Sequence, residues 1–250
     1  MRTEHRVRAS TLVDRHANVK RAIDLMREDM DAPLSHAQLA RAARMSEFHF
    51  SRVFHDATGL PPLQFQSALR IARARNMVVN TDDTVIEICL RVGYSSIGSF
   101  TRRFTELVGI SPRRLRQQLC ENRLPEDGTK TGGLVRIRLT TEGRELTGPS
   151  LVAAFRSPLP FGVPVAYAIS HATRSLLLGG LGIGRFYLLA FGSNGKAALT
   201  TSPVSVTIND VAANTDLDLA LRRMEPTDPP ILSFIPFMVY WHHQTGMKRP

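Results

Sequence analysis

The sequence is poor in the residues that build disulfide scaffolds and metal sites. Its two cysteines, Cys89 and Cys120, do not form a Cys-x-x-Cys pair, which argues against a disulfide framework and a cysteine-based zinc site. Reduced thiols in a cytosolic protein are the simplest account, so we expect a cytoplasmic, nucleoid-associated location. The pair His242 and His243 has no other candidate ligands nearby in the sequence, so no metal site is expected.

Long apolar runs are also missing. The nearest candidate for a membrane span, residues 176–190, is broken by four glycines and Arg185, so no transmembrane helix is expected. The first ten residues are charged and lack an apolar core, which argues against a secretory signal. No acid–base pair, nucleophile triad or metal constellation stands out, so we expect neither an enzyme nor a cofactor. Residues 192–196 lack the spacing of a phosphate-binding loop and predict a hairpin turn.

Lysine is scarce in the first half of the chain, where arginine supplies the positive charge. No lysine lies between Lys20 and Lys130, and residues 1–124 hold 20 basic and 13 acidic side chains. The whole chain has a formal net charge of +10. Because a guanidinium binds phosphate and guanine in a bidentate manner, this composition favours an anionic partner. A soluble basic protein without such a partner is the alternative.

The spacing of apolar residues predicts a flexible arm over residues 1–15 and then a helical domain over residues 16–120. Val19, Ile23, Met26 and Met30 share one face of a first helix. Caps and breakers predict six further helices. The residues that mark their ends are Ser35 with Gln38, Ser46, Gly59, Pro61 with Pro62, Asn80, Thr84 with Glu87, Ser96, Gly109, and Ser111 with Pro112.

An internal repeat lies within this helical half. At an offset of 49 residues Ser35 matches Thr84, and at an offset of 50 Arg52 matches Arg102. The extra residue falls in the turn before the second helix of each pair. Two helices joined by a tight turn are typical of a helix-turn-helix unit, whose second helix enters the major groove. The repeat therefore predicts two such units, joined by a helix of roughly 27 Å, although ordinary helical hairpins in a bundle are the alternative.

The pattern of apolar and polar residues changes after a polar, glycine-rich linker over residues 121–133. Residues 135–139 alternate with period two, and short apolar runs follow at 151–155, 163–169, 185–191 and 204–208. This pattern predicts a small antiparallel β-sandwich domain over residues 134–241, followed by a tail over residues 242–250. The apolar segment 231–241 is either a final strand or a partner surface. The predicted fold class is thus multidomain α and β, an all-α tandem helix-turn-helix domain of seven helices followed by that sandwich.

The helical half resembles the DNA-binding domain of the AraC/XylS family of bacterial transcription regulators. The second unit carries the stronger signature, with VIEIC at 85–89, VGYSS at 92–96, FTRRF at 100–104 and GISPRRLR at 109–116. The first unit matches through LA at 39–40, MS at 45–46, FSRVF at 50–54 and Gly59. In the second half, residues 151–190 resemble a transthyretin-like β-sandwich module, although Gly182–Tyr187 lacks that module's proline.

The AraC/XylS resemblance implies that the third and sixth helices read DNA bases, and it places a set of contact residues on each. In the first unit they are Glu47, Phe48, Ser51 and Arg52, and in the second Ile97, Gly98, Thr101 and Arg102. Arg52 and Arg102 suit guanine, or else pair with a neighbouring helix. Because Ile97 offers only a methyl contact and Gly98 only backbone, we expect the second unit to read less sequence directly. Phosphate contacts are expected from Arg103, Arg113 and Arg114, for which a solvated basic face is the alternative.

The expected function is that of a sequence-specific transcription regulator, more often an activator in this family, with double-stranded DNA and RNA polymerase as partners. The β-domain is expected to sense a small-molecule effector, contact a partner or form a homodimer. The alternatives are a DNA-targeted repair or modification enzyme, which would need a reactive cysteine, and a nonspecific nucleoid-binding protein. Cys89 is predicted to be buried, which argues against the first alternative.

Overall fold

The computed structural model describes residues 2–121, 132–141, 146, 150–170, 174–193, 198–211, 214–230 and 232. Within these ranges the chain forms seven helices followed by eight strands. The helices are α1 (Arg2–Glu28), α2 (His36–Ala42), α3 (Glu47–Thr58), α4 (Pro62–Asn80), α5 (Val85–Arg91), α6 (Ile97–Val108) and α7 (Pro112–Glu121). The strands are β1 (Gly133–Thr141), β2 (Ser150–Phe155), β3 (Ala166–Ser170), β4 (Ser175–Leu181), β5 (Gly184–Ser193), β6 (Ala198–Thr200), β7 (Val204–Ile208) and β8 (Asn214–Arg223).

Contacts divide the chain into two compact units, residues 1–104 with 225–230 and residues 105–224 with 231–250. The predicted linker lies largely outside the described residues, so the predicted domain boundaries stay a prediction. The tail 242–250, His242 and His243 included, and all of the segment 231–241 except Leu232 also lie outside them. None of the helices in the described part of the chain is both long and apolar enough to span a membrane.

The two capping boxes predicted from the sequence form as expected. Ser35 and Thr84 each accept a bond from the amide of the residue three positions later, and Gln38 and Glu87 bond back to the cap amides. Gly59 and Gly109 have left-handed φ angles of 72° and 99°, directly after α3 and α6. Asp31 to Pro33 were predicted to end α1, which in fact stops at Glu28.

The start of α1 differs from the prediction. A helix begins at Arg2 rather than near His16, so residues 2–15, predicted as a flexible arm, are helical. The prediction relied on apolar spacing, and this segment has no such spacing to mark a buried face. It also contains no glycine or proline to interrupt a helix.

The core of the helical part of the chain is aromatic, and its buried rings recur at matching positions of the two helix-turn-helix units. Phe50 and Phe54 pack 5.3 Å apart between ring centroids, and Phe54 packs edge-on against Phe65 of α4 at 5.4 Å. In the second copy Phe100 and Phe104 lie 5.7 Å apart. The six residues predicted as core, Leu39, Phe50, Phe54, Ile88, Phe100 and Phe104, are all fully buried. This packing fixes which faces of α3 and α6 remain outside.

The strands form one eight-stranded sheet rather than the predicted antiparallel sandwich. Its order is β3-β2-β5-β6-β8-β1-β4, with β7 paired to β5, and the end strands β3 and β4 contact each other, so that the sheet nearly closes on itself. The pair β1–β8 is parallel. The transthyretin-like sandwich that the resemblance implied is therefore not the arrangement these strands adopt. Alternation in a sequence shows which residues face a core, but it specifies neither the partner strand nor its direction.

Alternation itself is confirmed at β1, where Val135, Ile137 and Leu139 are buried and Arg136 and Arg138 are exposed. The inward residues belong to a large apolar cluster that fills the curved sheet. β2 is buried along its whole length because its other face joins a second cluster with β5. The strands β5 and β6 pair antiparallel from Ser193 opposite Ala198. Of the turn predicted at residues 192–196, the first two residues belong to β5 and the others lie outside the described residues.

Candidate nucleic-acid interface

The helix α3 presents one face to solvent because the opposite face is packed. Phe50, Val53 and Phe54 are buried, and a helix places residues three or four apart on the same side. The outward side carries the four predicted reading residues of the first unit. Glu47 and Arg52 are exposed, Ser51 is half-buried, and the Phe48 ring is 84% exposed. An aromatic ring this open on a helix has its apolar surface available for a partner.

The helix α6 repeats this arrangement. Phe100, Phe104, Leu107 and Val108 are buried. The outward side holds the predicted reading residues of the second unit: Ile97 is 46% exposed, Gly98 and Arg102 are exposed, and Thr101 is half-buried. A Cβ on Gly98 would meet only the Ser96 Oγ, at 3.8 Å, so its surroundings are open.

The two arginines proposed for guanine occupy equivalent places on these faces. Arg52 and Arg102 are both exposed, and neither forms an ion pair within the described part of the chain. The sequence left open whether they pair with a neighbouring helix. Since both guanidinium groups project from an outward helix face without a carboxylate partner among the described residues, they have five donors each to offer to a ligand.

The three arginines expected at phosphates differ in their surroundings. Arg113 and Arg114 are exposed in the first turn of α7, where the Ser111 hydroxyl accepts a bond from the Arg114 amide at 3.3 Å. A helix N-terminus attracts anions, so the location suits phosphate. Arg103 is half-buried and its Nε donates to the Ser67 Oγ of α4 at 3.1 Å. This bond gives Arg103 a role in holding α6 against α4.

A buried arginine that the sequence reading missed lies behind the second unit. Arg70 of α4 is 7% exposed, its Nε donates to the Val92 carbonyl, and its guanidinium lies 4.5 Å from the centroid of the Tyr94 ring. Burial lowers the pKa of Arg70, while Tyr94 and Cys89 act in the opposite direction. Because arginine is seldom buried, no sequence signal distinguished Arg70 from the exposed arginines of α4.

Arg70 also explains the glycine of the VGYSS motif. Gly93 has a left-handed φ of 72°. A Cβ there would lie 2.4 Å from the Asp31 carbonyl oxygen and 2.5 Å from the Arg70 Nη2. Only glycine fits this turn, which lies between α5 and α6.

Another residue that the sequence reading missed is His36, at the start of α2. Its Nδ1 lies 2.9 Å from the Glu47 Oε2 and its Nε2 lies 2.7 Å from the Ser51 Oγ. Both partners are predicted reading residues. The signal was weak, because a single histidine at a helix start is usually a surface residue.

Cys89 is buried, as predicted, and its Sγ lies 3.5 Å from the Tyr94 carbonyl oxygen, to which the thiol donates. Burial raises the pKa of the Cys89 thiol, and Arg70 offsets this in part. A nucleophilic cysteine needs a thiolate and access to its substrate. Cys89 has the opposite surroundings, which disfavours an alkyl-acceptor role for this residue.

Comparison with known proteins places this part of the chain in a family. A family model described as a helix-turn-helix domain matches residues 39–118. The regulator Rv1931c of Mycobacterium tuberculosis, described as an HTH-type transcriptional regulator, is 39% identical over 80 residues, which are 32% of this chain and 31% of that protein. The HTH-type transcriptional regulator ArgR of Pseudomonas aeruginosa is 30% identical over 103 residues, 41% of this chain and 31% of that protein.

Among solved structures, the DNA-binding domain of the global transcriptional factor AdpA in complex with a target DNA shares 27% identity at a TM-score of 0.40, covering 42% of this chain and 95% of that one. The chain spans about a third of the length of the curated relatives it matches. The matched segment contains the end of α2 and all of α3 to α6. Residues 39–118 therefore form a helix-turn-helix domain of the AraC/XylS type.

Proposed function

We propose that this protein is a sequence-specific regulator of transcription that reads two successive major-groove segments of double-stranded DNA with α3 and α6. The observation that carries the proposal is the equivalence of Arg52 and Arg102. Each is exposed on the outer face of a helix whose inner face is packed, and each is free of an ion pair within the described residues. A guanidinium in this position suits the O6 and N7 atoms of guanine.

Three further observations support the proposal. The matched relatives are described as transcriptional regulators. The positive charge of the chain is concentrated in its helical half. The N-terminus of α7 carries the exposed Arg113 and Arg114, which we assign to phosphate contacts. Arg103, held by Ser67, positions α6 and adds positive charge beside the DNA backbone.

Activation through RNA polymerase is the finer form of the proposal, and it rests on the AraC/XylS resemblance. A reporter gene placed behind a selected binding site tests it. Expression that rises with the intact protein, and not with an Arg52→Ala variant, supports activation, whereas expression that falls indicates a repressor.

The sheet-rich half is proposed as the regulatory module, with effector sensing and homodimer formation as its two roles. Light scattering of the full chain measures its oligomeric state directly. Binding of small molecules is then read from a change in thermal stability.

The first experiment on the proposed function is a binding-site selection with the full chain and randomised duplex DNA, followed by affinity measurements. We expect a preference of about a thousandfold over scrambled DNA of equal length. Arg52→Ala and Arg102→Ala should each weaken specific binding by roughly 5- to 150-fold and relax one position of the site. Arg185→Ala, which removes an exposed arginine from β5, is the control of equal charge and should leave the preference intact.

The other function classes predict different results. A nonspecific nucleoid-binding protein would bind all fragments equally, with only a salt dependence. A repair enzyme of the alkyl-acceptor kind would gain mass after exposure to methylated DNA. Either result would overturn the proposed function.

A further inference from the structure

His36 connects the two helices of the first unit at the reading face. It is the first residue of α2, and its side chain is 27% exposed. Glu47 and Ser51 lie one turn apart on α3, and the two ring nitrogens of His36 reach one each, at 2.9 Å and 2.7 Å. The ring also packs 5.6 Å from the centroid of Phe50. The imidazole is thus held by two hydrogen bonds and one aromatic contact.

The hydrogens in this arrangement can be assigned from the chemistry of the partners. An ionised carboxylate can only accept, so the Nδ1 that faces Glu47 carries the hydrogen. An uncharged imidazole has one N–H, so its Nε2 is then an acceptor. The Ser51 hydroxyl must therefore donate its single hydrogen to Nε2. What remains for a ligand of Ser51 is the two lone pairs of its oxygen, which accept hydrogen bonds and cannot donate one.

We propose that His36, by taking the Ser51 hydrogen, makes the first unit select a base that presents an amino group in the major groove. Adenine offers N6–H2 there and cytosine offers N4–H2, whereas guanine and thymine present the carbonyl oxygens O6 and O4. The inference rests on the proposed function, since it assigns a base class to one of its reading residues. His36 is in this sense a positioning residue, which acts on DNA through Ser51.

The internal repeat shows that this arrangement belongs to the first unit. The positions that match His36 and Glu47 in the second unit are Val85 and Ile97. Their side chains have no hydrogen-bonding atoms, so neither can fix the hydroxyl of Thr101, which matches Ser51. The duplicated unit therefore supplies a natural substitution, His36→Val, that fits a helix at the same place.

The first test needs no DNA. Long-range proton–nitrogen correlation spectra of the full chain, labelled with ¹⁵N-histidine at pH 8.5, report which ring nitrogen carries the hydrogen. The signal of His36 is the one of eight histidines that His36→Val removes. We expect a hydrogen on Nδ1 and none on Nε2. A hydrogen on Nε2 would overturn the inference whatever the DNA results show.

The second test is the binding-site selection repeated at pH 8.5 with His36→Val and Ser51→Ala. The position whose preference disappears in Ser51→Ala is the one that Ser51 reads. There the unmodified protein should favour adenine or cytosine by about three- to tenfold, and His36→Val should bring that ratio close to one. Arg102→Ala, which alters the second helix-turn-helix unit, should retain the preference for adenine or cytosine at this position.

The outcomes separate this inference from the proposed function. If every protein selects a site and His36→Val retains the amino-base preference, or if guanine or thymine is preferred, the inference is wrong and the regulator proposal stands. If the unmodified protein selects no sequence, both are wrong. Circular dichroism of His36→Val checks that α2 and α3 still form. If they do not, His36→Gln identifies the His36 signal instead, and the spectra of the unmodified protein decide.

Discussion

Arg44 and Gly93 occupy the same place in the two helix-turn-helix turns, and both have a left-handed backbone, with φ angles of 54° and 72°. The surrounding hydrogen bonds also correspond: the amides of Arg44 and Gly93 donate to the carbonyls of Arg41 and Leu90, at 2.9 Å each. One turn therefore uses glycine where the backbone requires it, whereas the other holds an arginine in a conformation that L-residues disfavour.

Arg44→Gly should stabilise the protein by about 0.5–1 kcal/mol, because glycine adopts a positive φ without a steric cost. Gly93→Ala should destabilise it by more than about 2 kcal/mol, since its Cβ would lie 2.4 Å from the Asp31 carbonyl oxygen. Urea unfolding of the two variants measures both values. Equal and opposite effects of small size would show that the close approach at Gly93 is relieved by a shift of the backbone.

Arg70→Met should lower the free energy of unfolding by about 1–3 kcal/mol, because it leaves the Val92 carbonyl without its donor. Arg73→Met is the control on the same helix: its ion pair with Asp31 is exposed, so the change should stay within about 0.5 kcal/mol. A double-mutant cycle with Tyr94→Leu isolates the contact between the guanidinium and the ring, for which we expect a coupling of about 1 kcal/mol. A coupling energy of zero would show that the Tyr94 ring does not contribute to the stability that Arg70 provides.

Glu87 should make the second unit sensitive to acid. Its bonds from the Thr84 amide and hydroxyl, and the nearby Arg91, lower the pKa of the Glu87 carboxyl. A carboxyl whose pKa is lowered by folding stabilises the protein at pH values above the pKa that the group has in the unfolded chain, near 4.3. This contribution is lost as the pH falls through the lower pKa of the folded state. Glu87→Gln should therefore unfold more readily than the unmodified protein at pH 7, and the gap should narrow at pH 3–4.

The first unit supplies the reciprocal control for this prediction. Its cap uses Gln38, which does not titrate. Gln38→Glu should introduce the same pH dependence at α2 that Glu87→Gln removes at α5. A gap between Glu87→Gln and the unmodified protein that stays constant from pH 7 to pH 3 would contradict the assignment.

Gly98→Ala should separate folding from DNA binding. The space around Gly98 is open, and alanine is the better helix former, so stability should rise by roughly 0.5–1 kcal/mol. Yet a methyl group on the proposed reading face would obstruct close approach of the DNA, so affinity for the selected site should fall several-fold. Thermal unfolding and fluorescence anisotropy give the two readouts. An unchanged affinity would place Gly98 away from the DNA.

The parts of this structure that sequence predicts well are those governed by local chemistry. The Ser35 and Thr84 caps, the breaks at Gly59 and Gly109, and the outward face of α3 all follow from neighbours within a few residues. Contacts between distant segments were not predictable in this way. The contacts of Arg70 with Val92 and of His36 with Ser51 form because the helices pack against each other. The presence of an arginine or a histidine in the sequence does not by itself show whether its side chain is buried. The first residues of α1 have no periodic spacing of apolar side chains, so the sequence did not predict that the helix begins there.

The sheet shows the same limit. β1 was found by its alternation, but β4, β6 and β8 were not among the predicted runs, and the parallel pairing of β1 with β8 has no local signature. The reading residues remain a prediction from resemblance. The structure places them on outward faces, as base contact requires.

The parallel pairing of β1 with β8 also has a consequence for how the chain folds. Leu134 lies opposite Asn214, so β1 emerges from the ribosome long before the partner on that side has been made. The helical units are assembled from neighbours in sequence and can form early, whereas the sheet keeps an open strand edge until β8 is synthesised. An unpaired edge is a site for joining another chain. The interval between the synthesis of β1 and that of β8 is therefore the time in which a nascent chain is most open to pairing with a second chain.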